Sequence, residues 1–282
     1  MTDDPREFVF TRYEARQGIA WLAQAYALFS RKRLPWVLLL LAYYILLRLL
    51  LAVPLVGPLA LTVLKPVFAV GLLAAAWTQE RGGTPSLRQL FQGFRANLGS
   101  LLPIGLFVVV GITGAVLASS LIDGGKLLDL LANSSAGSMS EEEVAASLSD
   151  GALQLGMLFS ALLSVPILIA TWWAPALVVF QNARAGAALA ASLRAALANW
   201  RPLAVYGIGV TFYGVVLPAI FTGGLTLLFA QNGLQIAKVL LLPYGIFLAA
   251  TLHISDYVSY RDVFHAGETL APLSGQDAQT SN

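Results

Sequence analysis

Three basic residues stand inside stretches that are otherwise apolar: Arg48, Lys65 and Lys238. An Arg or Lys at mid-bilayer costs about 2.5–3.5 kcal/mol on insertion scales, so each asks for a physical reason. At about 1.5 Å rise per residue, Arg48 lies about 21 Å beyond Leu34, Lys65 about 18 Å from Trp77 and Lys238 about 22 Å from His253. In a hydrocarbon core of about 30 Å, all three fall toward the same, outer side. One chemistry this allows is a basic pocket for the phosphate or carboxylate headgroup of an anionic lipid. The plainer use is snorkelling, in which a long side chain reaches the headgroups from that depth.

A second group closes the last apolar segment, HISDYVSYRD, where His253, Asp256, Tyr257, Tyr260 and Arg261 recur at helical spacing. A His–Asp pair can move protons, and His265 follows nearby. No nucleophile and no metal-ligand spacing accompanies them, so no catalytic residue, metal or cofactor is expected. Their expected use is structural: tyrosines at the membrane interface, and Asp256 or Asp262 paired with an arginine such as Arg194 or Arg201, beside Trp200. The chain has no cysteine, which excludes disulfides, thiolate metal sites and a cysteine nucleophile.

The elements that carry these residues are set by composition. Of 282 residues, 57% are apolar and 11% charged, against about 25% charged in soluble domains. Mean hydropathy is +0.74. Too few polar residues remain to cover a water-facing surface, which excludes an ordinary soluble enzyme, a disordered chain and a nucleic-acid binder. The expectation is an all-α, polytopic membrane helix bundle. Its six spans read 34–55, 59–77, 101–121, 154–180, 202–221 and 235–253, with Trp36 at a membrane edge and Pro166 interrupting the fourth. No acidic residue falls within any of them. Gly223-Gly224 and the segment 231–233 bracket a short apolar piece that lies on the surface or dips inward. A single membrane domain over 18–265 is flanked by a cytoplasmic tail, 1–17, which lacks a signal peptide's apolar core, and by a disordered cytoplasmic tail, 266–282.

Loops fix the orientation. Lys and Arg gather before the first span, in the 78–98 and 181–201 connections, and at Arg261, whereas Lys126 stands alone on the other side. The positive-inside bias puts both termini in the cytoplasm and the acidic loop 123–151 outside. Within that loop Ser140 and Glu143 have capping-box spacing, predicting a short helix over 141–148. Thr84 reads as an N-cap with Pro85 at the first helical position; the helix it opens is amphipathic through Leu87, Leu90, Phe91, Phe94 and Leu98. GAALAASLRAALANW is a second amphipathic segment. Each outgoing span follows such a surface segment and each returning span carries a proline, Pro66, Pro166 or Pro243. The pattern suggests three tandem units, as well as interfacial helices that touch membrane lipid.

The segments GIAWLAQAYALF (18–29), WAPALVVF (173–180), AASLRAALANWRPLAVYG (190–207) and YVSYRDVF (257–264) resemble a family of uncharacterised proteobacterial inner-membrane proteins with about six spans. In layout the chain is more loosely similar to the membrane domains of some glycerophosphodiester phosphodiesterases. The likeness covers most of 18–264, departing in 123–151 and around 222–234. It implies fold, topology and a bacterial inner-membrane location, and no activity or site residue. The sequence therefore favours a non-enzymatic component of membrane organisation or envelope assembly that binds lipid or a partner protein, a second copy of the chain included. A small transporter is the alternative, since repeated units and kinked spans resemble transporter design. An enzyme acting on lipid headgroups is the third reading.

Overall fold

Helix ends here are set by side chains that satisfy the backbone groups a helix leaves free. The computed structural model describes residues 8–53, 56–135 and 139–266, so residues 1–7 and 267–282 of the two tails lie outside the described residues. The chain runs α1 (Gln17–Arg31), α2 (Arg33–Leu51), α3 (Val56–Glu80), a 3-10 turn (Leu87–Phe91), α4 (Gln92–Arg95), α5 (Leu98–Asp123), α6 (Lys126–Ser135) and α7 (Glu141–Leu148). It continues as α8 (Gly151–Trp172), α9 (Ala174–Gln181), α10 (Ala185–Ala198), α11 (Trp200–Thr211), a π-helical turn (Phe212–Val216), α12 (Leu217–Phe229), a 3-10 turn (Ala230–Asn232) and α13 (Gly233–Phe264). Asp150 caps α8 by accepting from Ala152 and Leu153 N–H at 2.9 and 3.0 Å. Asn97 caps α5 through Ser100 N–H, and the predicted Ser140–Glu143 box opens α7. The segment after Gly82-Gly83 starts later than expected: its first helical residue is Leu87, and Gln89 reaches back to Ser86 N–H at 2.8 Å.

Six helices are long and apolar enough to cross a membrane: Arg33–Leu51, Val56–Glu80, Leu98–Asp123, Gly151–Gln181, Trp200–Phe229 and Gly233–Phe264. The chain is an all-α, multi-pass integral membrane protein. Two spans run further than the sequence reading placed them. The fifth passes through Gly223-Gly224 to Phe229, and the sixth runs past His253 to Phe264, so Asp256 and Asp262 lie within it. The prolines of the returning helices do not break them: Pro66, Pro166 and Pro243 sit inside continuous α3, α8 and α13. The break in the fourth span comes instead at Trp173, between α8 and α9.

That break is spliced from outside. Trp173 N–H donates to Ser192 Oγ at 3.1 Å, and Ser192 Oγ donates to Ile169 carbonyl at 3.2 Å. A hydroxyl from α10 thus stands between the two groups, four residues apart, that an uninterrupted helix would pair directly. The surface segments engage the bundle in a cycle. The Leu87–Phe91 turn and α4 pack on α3, α10 packs on α8 and α9, and α1 packs on α13, so each lies on the returning helix of the preceding unit. Helix α1 departs in also lying along α11. Two close approaches depend on glycine. A Cβ at Gly18 would collide with the Pro202 carbonyl, and one at Gly93 with the Val67 carbonyl.

Candidate functional site

At the ends of the returning helices nearest the surface segments, polar side chains converge. Glu80 of α3 pairs with Arg261 of α13 and accepts the Tyr257 hydroxyl at 2.5 Å. Arg261 also pairs with Asp262 at 2.6 Å and donates to Gln24 Oε1 of α1 at 2.8 Å. Asp262 accepts from Gln17 Nε2 at 2.8 Å and from Trp21 Nε1 at 3.2 Å. The partner of Asp262 is therefore its neighbour Arg261, not Arg194 or Arg201. Arg201 lies over the ring of Trp200, 5.5 Å from its centroid. Trp36, read as a membrane-edge residue, is fully buried and donates to Gln79 Oε1. Tyr260 is also fully buried, stacked between Phe180 and Phe264 with its hydroxyl on His265 Nε2 at 2.9 Å. Asn199 ties the N-terminal segment to α10, accepting from Tyr13 N–H at 2.8 Å and donating to Thr11 carbonyl at 3.0 Å. Burial and the adjacent Asp262 charge raise the Tyr13 hydroxyl above the usual tyrosine range.

Deeper in the bundle a second polar group forms. His253 Nδ1 and Asp256 Oδ2 on α13 are 3.9 Å apart, and the Lys65 charge of α3 acts on both. They border a cavity of about 30 Å³ that α3, α8 and α9 share through Leu72, Leu73, Trp172 and Pro175. Trp172 Nε1 is buried there without a partner, as is Trp77 Nε1 further along α3. The sequence reading joined Lys65 to Arg48 and Lys238; Lys65 is exposed as they are, and its charge acts on His253 and Asp256. Arg48 and Lys238 are exposed, and among the described residues neither side chain makes a hydrogen bond or ion pair. The signal for this group was the absence of any Gly or Pro between Tyr244 and Phe264 other than Gly245, which lets one helix carry the whole segment.

A third arrangement is a collar of arginines. Arg88 and Arg95 flank the exposed Leu87, Phe91 and Phe94, and Arg194 and Arg201 accompany the exposed Leu197 and Trp200. Among the described residues none of these four arginines has a carboxylate partner. On the far side, Lys126 pairs with Asp150 at 2.6 Å. That ammonium, with the α8 backbone N–H groups, holds the Asp150 carboxyl below the usual carboxylate range. Ser140 N–H and hydroxyl do the same for Glu143. Asp123, at the end of α5, is buried but satisfied by Ser119 Oγ and Gly125 N–H.

The chain is similar over 262 residues, at 28% identity, to a probable inner membrane protein of Burkholderia thailandensis; the likeness covers 92% of this chain and 94% of that one. No family model matches it, and no solved structure matches it. Six apolar helices and this near full-length likeness make it a multi-pass inner-membrane protein.

Proposed function

We propose that the protein is a non-enzymatic component of membrane organisation or envelope assembly that gathers anionic lipid at its cytoplasmic face. The observation that carries this reading is the arginine collar. Four arginines without carboxylate partners sit among exposed leucine, phenylalanine and tryptophan on surface helices at the bundle's end. Such helices lie in the headgroup region with their apolar residues in the acyl boundary, and each arginine near an anionic leaflet contributes about 1 kcal/mol. Arginine's planar fork suits a phosphate. The positive-inside bias supports a cytoplasmic position for this collar and for both termini. The looser likeness to membrane domains of glycerophosphodiester phosphodiesterases fits a membrane part without its own active centre. Arg48 and Lys238, exposed in the outer part of the spans, offer a smaller headgroup site there.

Native mass spectrometry of the protein extracted with its lipids tests the reading. The unmodified protein is expected to retain phosphatidylglycerol or cardiolipin, and the combined variant R88Q/R95Q/R194Q/R201Q to lose most of it while keeping its helical circular dichroism. Equal anionic lipid in the two proteins rejects the proposal.

A second reading, a small transporter, is favoured by one observation: the helix break at Trp173 lies beside His253 and Asp256 inside the span. Broken helices and ionisable groups at mid-depth are how transporters build their sites. Against it, the cytoplasm-proximal half is filled by fully buried Trp21, Trp36, Trp173, Tyr257 and Tyr260.

A further inference from the structure

The cavity between α3, α9 and α13 is small, polar on one side and unexplained by lipid binding. Its volume, about 30 Å³, exceeds the roughly 10–15 Å³ of probe-occupied space one water needs. Trp172 Nε1 is buried with no partner, and a buried donor left unpaired costs about 1–3 kcal/mol. His253 Nδ1 and Asp256 Oδ2, at 3.9 Å, are too far apart for a direct hydrogen bond and close enough for a shared third partner. The two side chains keep 29% and 42% of their surface accessible, so the site is not sealed by protein. Pro175 and Ala176, the first turn of α9, line the same cavity. A helix start favours negative charge nearby, which suits the Asp256 carboxylate.

We propose that this cavity holds a water shared by Trp172, His253 and Asp256, and that the site binds a proton within the membrane. The water accepts from the Trp172 indole and donates to the Asp256 carboxylate. An entering proton is taken by that carboxylate or by the imidazole, with no covalent bond other than its own formed or broken. The charged and titratable neighbours are few. Lys65 of α3 acts on both groups, Tyr43 of α2 meets the His253 ring edge-on at 6.0 Å, and Tyr206 of α11 lies near Asp256 with its hydroxyl on Ser255. Trp172 brings no titratable group from α8.

The test is infrared difference spectroscopy of the whole protein in phosphatidylcholine vesicles between about pH 5 and pH 8, the interval in which an ordinary imidazole titrates. The expected result is a protonated-carboxyl band that moves in D₂O, vanishes in D256N, and appears over a displaced pH interval in K65M. W172F keeps the ring and removes the donor, and should shift the band's frequency. No band assignable to Asp256, or one indifferent to Lys65→Met in a protein of unchanged helical content, overturns the proposal. Because the vesicles carry no anionic lipid, the outcome is independent of the collar's lipid binding.

Discussion

The two halves of the bundle are built on different solvents. In the half nearer the arginines, α1, the Leu87–Phe91 turn, α4 and α10 pack over the returning helices, and large side chains are removed from everything but protein: Trp21, Trp36, Trp173, Tyr257 and Tyr260 are fully buried. In the other half the helices stand as hairpins. α12 buries no residue at all and packs chiefly on α13; Leu227 and Leu228 are 90% and 77% exposed. Water cannot be what the exposed half faces, since its surface is leucine, isoleucine and valine. Lipid tails are as apolar as leucine, so nothing drives such helices together except packing and hydrogen bonds. The first half supplies most of the buried polar partners; in the second, Asp123 and Ser119 at the end of α5 form a buried pair against Gly156 of α8. Another polar contact of that half lies at the π-helical turn, where the Tyr213 carbonyl accepts the Tyr244 hydroxyl. Where backbone is disturbed, even the lipid-facing half must satisfy it.

The difference can be broken first by size. Trp173→Ala removes a fully buried indole that meets Trp21 edge-on and donates to Ser259; a loss of about 3–5 kcal/mol is expected. Leu228→Ala, in the exposed half, should cost less than about 0.5 kcal/mol. Thermal unfolding in detergent compares the two, and equal losses would erase the distinction between the halves. Next in size is Gly18→Val, whose side chain cannot fit against the Pro202 carbonyl; overpacking of this kind costs about 1–3 kcal/mol. It should loosen α1 from α11 and make Arg16 or Arg31 cleavable by trypsin.

Ser192→Ala leaves both Trp173 N–H and Ile169 carbonyl without their bridge, and should destabilise by about 1–2 kcal/mol. Ser192→Thr keeps the hydroxyl and should recover part of the loss if its methyl is accommodated; full stability of S192A by the same thermal measurement would remove the splice from the account. The smallest effect concerns the outer cap. Asp150 has a depressed carboxyl, so its stabilisation of the α8 start is present above its ordinary value near about pH 4 and is lost as pH falls through the lower folded value. Hydrogen exchange at Ala152 and Leu153 should quicken over that interval, and K126M should bring the change to higher pH.

Much of this was readable in advance, and the misses have physical causes. Six spans, the Ser140–Glu143 box and the amphipathic segments follow from composition and periodicity, because these are local. Gly223-Gly224 looked like an end to the fifth span; in lipid no water competes for the backbone, so the helix passes through them. Asp256 and Asp262 looked like the end of the sixth, but Gln17 and Trp21 of α1 bond Asp262 and the Lys65 charge of α3 acts on Asp256. Their partners are far away in sequence and no spacing announces them. The break at Trp173 has a faint signal in Pro175, which suits the first turn of a new helix. Ser192, which makes the break tolerable, has none. Of the three span cations, counting residues could not show that the Lys65 charge acts on His253 and Asp256.

The most direct measurement uses the absence of native cysteine. Single cysteines at Arg95, beside the collar, and at Glu143, on the far loop, are exposed positions that a membrane-impermeant maleimide can reach only from its own side. With the closed, arginine-bearing half in the cytoplasm, intact spheroplasts label E143C at once and R95C only after lysis. Labelling of R95C from outside, with E143C protected, would invert the bundle and contradict the account.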